Sequence, residues 1–181
     1  MWNQDLYLKT LLFAGQAHSK QKVPSSDLSY VVHVTNVAME VANALVQDNS
    51  TELDVTLAIQ CALLHDTIED TSVSYEQLKE AFGAAVADGV LALTKDFNLP
   101  KSEQMEDSLQ RIVAQGPEVR MVKMADRINN LQPPPKHWDD AKKIRYRAEA
   151  KIILETLQGV HPYIENRLAQ KIEAYQQYIK T

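Results

Sequence analysis

Residues 57–71 read Leu57-Ala58-Ile59-Gln60-Cys61-Ala62-Leu63-Leu64-His65-Asp66-Thr67-Ile68-Glu69-Asp70-Thr71, an almost unbroken apolar run that passes directly into four ionisable side chains. The segment Asp54–His65 is apolar nearly all the way round, which predicts a helix enclosed by other helices rather than one lying on a surface. Ending such a helix on an imidazole and a carboxylate costs desolvation free energy unless both find partners. A shared cation would satisfy both at once. The stretch therefore predicts an all-α fold whose most buried helix ends at a polar centre.

The flanking sequence extends the helical reading in both directions. Leu8, Leu11, Leu12 and Phe13 mark an apolar face on a helix from Leu6 to about Ala17. After the loop Val23–Asp27, a helix from about Tyr30 to Gln47 places Tyr30, Val34, Val37, Val41 and Leu45 on one stripe, with His33, Asn36 and Glu40 along its edge. Downstream, Ser74-Tyr75-Glu76-Gln77 has the capping pattern of a short helix that closes at Gly83, and Ala84 to about Leu93 reads as the next. Helices follow over about 101–114 and 118–131, the second stopped by Pro133-Pro134-Pro135. Residues 138–157 and 162–179 read as two long amphipathic helices joined at Gly159–Pro162, the last expected to pack on its own domain.

Composition agrees. The 181 residues contain five Gly and seven Pro and are 45% hydrophobic, enough apolar material for one domain with a real core, and unlike a β-sandwich or a disordered chain. Nineteen Lys and Arg against 24 Asp and Glu give a formal net charge of −5, so the whole-protein field offers no broad attraction to nucleic acid or to an anionic membrane. An anionic substrate must then be held by local cations. Cys61 is the only cysteine and reads as a core residue. Met1–Asp5 lacks a basic region followed by an apolar stretch, and no run approaches the roughly 20 apolar residues of a membrane span, so a reduced, cytoplasmic protein is expected. Composition leaves the oligomeric state open.

Three separate predicted helices each place a polar group in an apolar setting: His33, the pair His65-Asp66, and Asp126 within Met121–Asp126. Imidazole with carboxylate suits Mn²⁺, Fe²⁺, Co²⁺ or Zn²⁺, and four such ligands on a six-coordinate ion leave positions for water and substrate oxygen. The lack of thiolate partners argues against a structural zinc site. Lys123, Asp126 and Asn130 share one helix face, which either lines this centre or faces solvent. Glu69 and Asp70 follow closely enough for a turn to bring them beside a water held there; the other reading is an acidic turn capping the next helix.

On these residues the chain resembles a known family. Ala62–Thr71 resembles the His-Asp signature of the HD-domain phosphohydrolases, specifically the branch that hydrolyses guanosine polyphosphate alarmones. Tyr30-Val31-Val32-His33 resembles that branch's first metal-histidine segment, and Phe82-Gly83 and Leu93-Thr94-Lys95-Asp96 are similar to its following helices. Val122–Leu131 resembles its last metal-aspartate helix, and Trp138, Lys142 and Tyr146 its substrate-side segment, so that the resemblance covers about residues 10–155. It implies a single all-α HD domain over residues 1–181, with His33, His65, Asp66 and Asp126 binding one divalent ion, Mn²⁺ being the expected one. It further implies that Glu69 and Asp70 activate or position the attacking water. Asn130 would lie against the sugar or phosphate, and Lys22, Tyr30, Lys142 and Tyr146 would contact a small phosphorylated nucleotide. The implied reaction removes the 3′-pyrophosphate of ppGpp or pppGpp.

The loop Gln21–Tyr30 departs from the pattern. The family usually carries an Arg-Lys pair, a Pro and a Thr-Pro-Tyr there, and only Lys22 and Tyr30 match. Lys142 stands where the family has Arg, and Arg145 where it has Glu, so a flat guanidinium is replaced by a point charge. Two alternatives therefore stay open: the same chemistry on another nucleotide or phosphomonoester, and a catalytically idle nucleotide-binding protein. Retention of Glu69 and Asp70 speaks against the second.

Overall fold

A computed structural model describes residues 3–47 and 52–180; Met1 and Trp2, which begin the N-terminal stretch read above, lie outside them. The described residues form α1 (Gln4–Ala17), α2 (Val31–Gln47), α3 (Val55–Leu64), α4 (Thr67–Asp70), α5 (Tyr75–Phe82), α6 (Ala84–Leu93), α7 (Gln104–Val113), α8 (Pro117–Asn130), α9 (Asp140–Leu157) and α10 (Pro162–Ala174). A 3₁₀ turn, Tyr175–Tyr178, ends the helical part. The described residues contain no strand, only an isolated antiparallel bridge between Lys22 and Ser29 that pinches the loop before α2.

Local side-chain chemistry starts these helices, the first at Gln4 rather than Leu6. Asn3 caps α1 by accepting the Asp5 and Leu6 amides, and Asp54 caps α3 through the Leu57 amide. Ser74 and Gln77 form the reciprocal capping box of α5, which closes on Gly83 at φ 90°. Pro117 opens α8 in the first turn, where its missing N–H leaves no hydrogen bond unmade.

As its composition predicts, α3 is the centre. Ala58, Ile59 and Cys61 through Leu64 are all buried, and α3 packs against α1, α2, α6 and α8. Gly89 permits the approach of α6: a Cβ there would lie 2.8 Å from Cys61 Sγ and 3.1 Å from a Val119 methyl. The Cys61 thiol is free and buried, and burial, with Glu118 and Asp54 nearby, pushes it up to about 12. Ile164, Leu168, Ile172 and Tyr175 close the core from the C-terminal side, with α10 lying on α2, α8 and α9. No helix among the described residues is long and apolar enough to cross a membrane.

Several details correct the sequence reading. Leu8 and Leu12 are exposed, and α1 instead buries Thr10 and Ala14. Helix α7 begins at Gln104 rather than near Lys101, and α9 at Asp140, leaving Trp138 in the preceding loop. The last helix stops at Ala174 and tightens into the 3₁₀ turn. The chain also leaves helical geometry at Asp66 (φ −102°, ψ 1°) and re-enters it as the single turn α4.

Candidate active site

Helices α2, α3 and α8 pack on one another, and their contact carries the polar centre. His33 sits in the first turn of α2, His65 at the C-cap of α3, Asp66 just before α4, and Asp126 near the end of α8. Their inward atoms converge: His33 Nε2 and His65 Nε2 are 3.3 Å apart, and Asp66 Oδ2 is 2.9 Å from His65 Nε2 and 3.6 Å from His33 Nε2. Asp126 Oδ1 lies 3.5 Å and 3.8 Å from the same two nitrogens.

The outward ring nitrogens show that this cluster suits a cation. His33 Nδ1–H donates to Asn129 Oδ1 at 3.1 Å, and His65 Nδ1–H donates to the Ala62 carbonyl at 2.8 Å. These bonds fix both rings and direct both Nε2 atoms inward, as metal-ligating imidazoles require. Two nitrogens and two carboxylate oxygens are the donor set of a borderline divalent ion. The donor atoms of His33, His65 and Asp66 lie within 4.8 Å of one another. Electrostatics point the same way. Burial works against a charged His33, but Asp126 and Asp66 outweigh it and hold the imidazole up at about 10. The carboxyls of Asp66 and Asp126 are pulled well below the usual range despite burial, the first by His65 and His33, the second by Lys123 and His33.

Hydrogen bonds from neighbouring side chains hold the carboxylates in place. The Tyr30 hydroxyl donates to Asp66 Oδ2 at 2.6 Å, and burial together with that carboxylate raises the phenol. Lys123 Nζ donates to Asp126 Oδ2 at 3.1 Å, and the Asn130 amide to Oδ1, so the polar face of α8 lines the centre rather than solvent. Glu69 accepts from both the backbone N–H and the ammonium of Lys95, and Asp70 accepts from the Gln21 amide at 2.8 Å.

Two cavity lobes meet at this centre, sharing Tyr30, Asn130 and Tyr146. One, of about 770 Å³, runs past His33 along Pro24, Leu28, the three prolines 133–135 and Trp138, with the amides of Asn36 and Asn129 in its wall. The other, of about 500 Å³, is charged: Lys95, Lys101, Lys123 and Arg127 stand beside Asp66, Glu69, Asp70, Asp126 and Glu149, the last 3.7 Å from the Arg127 guanidinium. A largely apolar slot and a chamber of mixed charge thus flank one metal-type centre.

Of the substrate residues expected from the sequence, Tyr30, Asn130 and Tyr146 face the cavity. Lys22 and Lys142 line neither lobe. Lys22 Nζ donates to the Asp27 carbonyl at 2.7 Å, and Lys142 Nζ lies 4.2 Å over the Trp138 ring. Trp138 in turn packs edge-on to Tyr146 at 5.2 Å. Arg127, which the sequence reading passed over, supplies a guanidinium 4.3 Å above the Tyr146 ring, and its Nε and one terminal nitrogen are buried without a hydrogen-bond partner. Asn129, His18, Gln21 and Lys95 were passed over as well. Asn129 and Arg127 adjoin Asp126 and Asn130 in sequence, a signal available for both.

An all-α bundle closing two His and two Asp around one point defines the HD class of metal-dependent hydrolases. The HD domain family pattern matches residues 10–157, and the chain belongs to that family. It is 32% identical over 168 residues to the Danio rerio protein named guanosine-3′,5′-bis(diphosphate) 3′-pyrophosphohydrolase MESH1, covering 90% of each chain. This places it in that branch. An Aquifex aeolicus guanosine-3′,5′-bis(diphosphate) 3′-pyrophosphohydrolase is 39% identical over 123 residues, 66% of this chain and 16% of that much longer one. Among solved structures, one described as a metazoan ortholog of SpoT that hydrolyzes ppGpp superposes with a TM-score of 0.80 at 26% identity, covering 96% of this chain and 97% of the other.

Proposed function

We propose that this protein removes the 3′-pyrophosphate of the guanosine polyphosphates ppGpp and pppGpp, adding water across the 3′ O–P bond to release pyrophosphate and GDP or GTP. The observation that carries this reading is the convergence of His33, His65, Asp66 and Asp126 beside a chamber that holds three lysines and an arginine, in a chain that covers 90% of a relative named for the reaction. Those four residues would hold one divalent ion, a donor set that suits Mn²⁺, Fe²⁺, Co²⁺ or Zn²⁺, of which the resemblance to the HD phosphohydrolases favours Mn²⁺. When bound, the ion supplies Lewis acidity, offsetting phosphoryl charge and lowering the pKa of water.

The chain's own groups divide the remaining work. Lys95, Lys101, Lys123 and Arg127 offset phosphate charge in the chamber, which a protein of net charge −5 needs locally. Glu69 and Asp70 line the same chamber and are the carboxylates that orient the water and take its proton, which the departing 3′ oxygen then needs. Tyr30, hydrogen-bonded to Asp66, holds that carboxylate's direction. The slot between Pro133–Pro135 and Trp138 accepts a flat base, with the Asn36 and Asn129 amides at its edge. A free, buried Cys61 suits a reducing compartment such as the cytoplasm.

The test is turnover of ppGpp by the Mn²⁺-loaded protein, with anion-exchange separation of products, beside a panel of 2′-, 3′- and 5′-phosphorylated nucleotides. Pyrophosphate and GDP from ppGpp are expected. Asp66→Ala should lose both bound metal and turnover, whereas Glu69→Gln should keep the metal and lose about a hundredfold or more in kcat. Turnover of another panel member alone would move the substrate, and unchanged turnover in Glu69→Gln would remove that residue from its role.

A further inference from the structure

Glu69, the carboxylate assigned to the attacking water, has both oxygens engaged. Oε2 accepts the Lys95 backbone N–H at 2.9 Å, and Oε1 accepts the Lys95 ammonium at 2.5 Å. The two bonds differ in kind. The first comes from main chain just beyond the C-cap of α6 and fixes where the carboxylate points. The second comes from a flexible stem whose side chain is 43% exposed, so that its ammonium can turn to another anion, whereas the Glu69 side chain it meets is only 13% exposed. Lys95, Glu69, Lys101 and Lys123 all line the charged chamber. Lys123 is committed to Asp126 in a pair whose two side chains are both largely buried. Of the chamber's two lysine–carboxylate pairs, the one on Glu69 is the easier to exchange.

We infer that Lys95 is an anion-exchangeable latch on Glu69: a phosphate entering the chamber takes over the ammonium and frees Oε1 for the water. The backbone N–H keeps Glu69 aimed throughout. The inference rests on the proposed function only in treating the chamber as the phosphate site and Glu69 as the water's carboxylate. It adds that the base is released only when a phosphate is in place. Such coupling is reciprocal, so the Glu69 charge must weaken anion binding, and must do so through Lys95.

A double-mutant cycle tests that route. Dissociation constants for inorganic phosphate are measured on the Mn²⁺-loaded wild type, Lys95→Met, Glu69→Gln and the double variant, each checked for fold by circular dichroism. Lys95→Met should weaken phosphate about tenfold, the scale of one charge-assisted hydrogen bond, and Glu69→Gln should tighten it about fivefold. In the double variant that gain should vanish. Lys95→Arg should restore affinity to within about threefold of wild type. In turnover, Lys95→Met should raise KM about tenfold with kcat within about threefold, because Glu69 is then permanently unlatched.

An equal gain from Glu69→Gln with and without Lys95 would overturn the latch, since the carboxylate would then act by general charge. A kcat loss in Lys95→Met as large as that of Glu69→Gln would overturn it too, showing that Lys95 is needed to hold Glu69. Absent phosphate binding in every variant would remove both the chamber assignment and the latch. Because the phosphate cycle requires no turnover, a wild type that binds phosphate but leaves ppGpp intact refutes only the substrate.

Discussion

His18 has no surface exposure, yet two chains of contact link it to Asp70 and Asp66. Its Nδ1–H donates to Gln21 Oε1 at 2.6 Å, and the same amide donates to Asp70 Oδ2 at 2.8 Å. Its ring also lies 4.9 Å from that of Tyr30, which holds Asp66. Burial keeps the His18 imidazole below its ordinary range, and Nε2 is buried without a partner, so the ring is neutral with its proton on Nδ1. That proton sets the orientation of the Gln21 amide, and the amide aims Asp70. Gln21→Leu should therefore lower kcat about tenfold through misplacement of Asp70, with Mn²⁺ affinity and KM within about threefold. His18→Phe, which keeps a ring beside Tyr30 but loses the donor, should do the same in steady-state kinetics. Loss of Mn²⁺ affinity in either variant would mean that the contact supports Asp66 instead. The proposed metal ligands were legible in the sequence because His65 and Asp66 end an apolar helix at a cost in desolvation, and because His33 and Asp126 fall in segments that resemble the HD pattern. His18 and Gln21 were not, because their meaning lies in a bond to a residue 49 positions away from Gln21.

At the scale of elements, the apolar circumference of α3 was enough to place it at the centre, and the capping chemistry of Ser74 and Gly83 set helix ends correctly. The face of α1 was misread for a physical reason. Leu8 and Leu12 stand at i and i+4 and imitate a core stripe, but the helix turns small residues inward so that it can approach α3. Thr10 is buried there because its hydroxyl bonds the Leu6 carbonyl at 2.7 Å and accepts from Gln60. Hydrophobic weight along a sequence does not register such close approach. Gly89 on α6 obeys the same logic. Replacing Gly by Ala inside a helix gains up to about 1 kcal/mol in propensity, but here the new methyl meets Cys61 Sγ at 2.8 Å in a packed core. Overpacking of this kind costs about 1–3 kcal/mol. Gly89→Ala should therefore lower Tm by a few degrees in thermal unfolding, and added to a Cys61→Ala background, where the sulfur is gone, it should lower Tm no further. An equal drop on both backgrounds would place the strain at Val119.

For the whole molecule, the centre joins parts of the chain that nothing local brings together. His33, His65-Asp66 and Asp126 come from α2, from the end of α3 and from α8, helices that also form the heart of the core. An ion bound by all four ligands binds only the folded state, so it acts as a cross-link between helices that unfolding must break. The same cluster brings two carboxylates and two imidazoles into a small buried volume, where opposite charges lie beside like ones and a divalent ion relieves the remaining repulsion between Asp66 and Asp126. Mn²⁺ at one hundred times its dissociation constant should stabilise the fold by about 2.7 kcal/mol, which for a domain of this size is a rise in Tm of about 5–10 °C. Chelation should reverse the rise. Asp126→Asn keeps the shape of the side chain but removes the anion, and should cut the metal-dependent rise to less than about half while leaving the metal-free Tm within a few degrees. Differential scanning calorimetry with and without Mn²⁺ reads both quantities. An undiminished rise in Asp126→Asn would show that the ion is held by His33, His65 and Asp66 alone, and α8 would then contribute to the chamber but not to the metal.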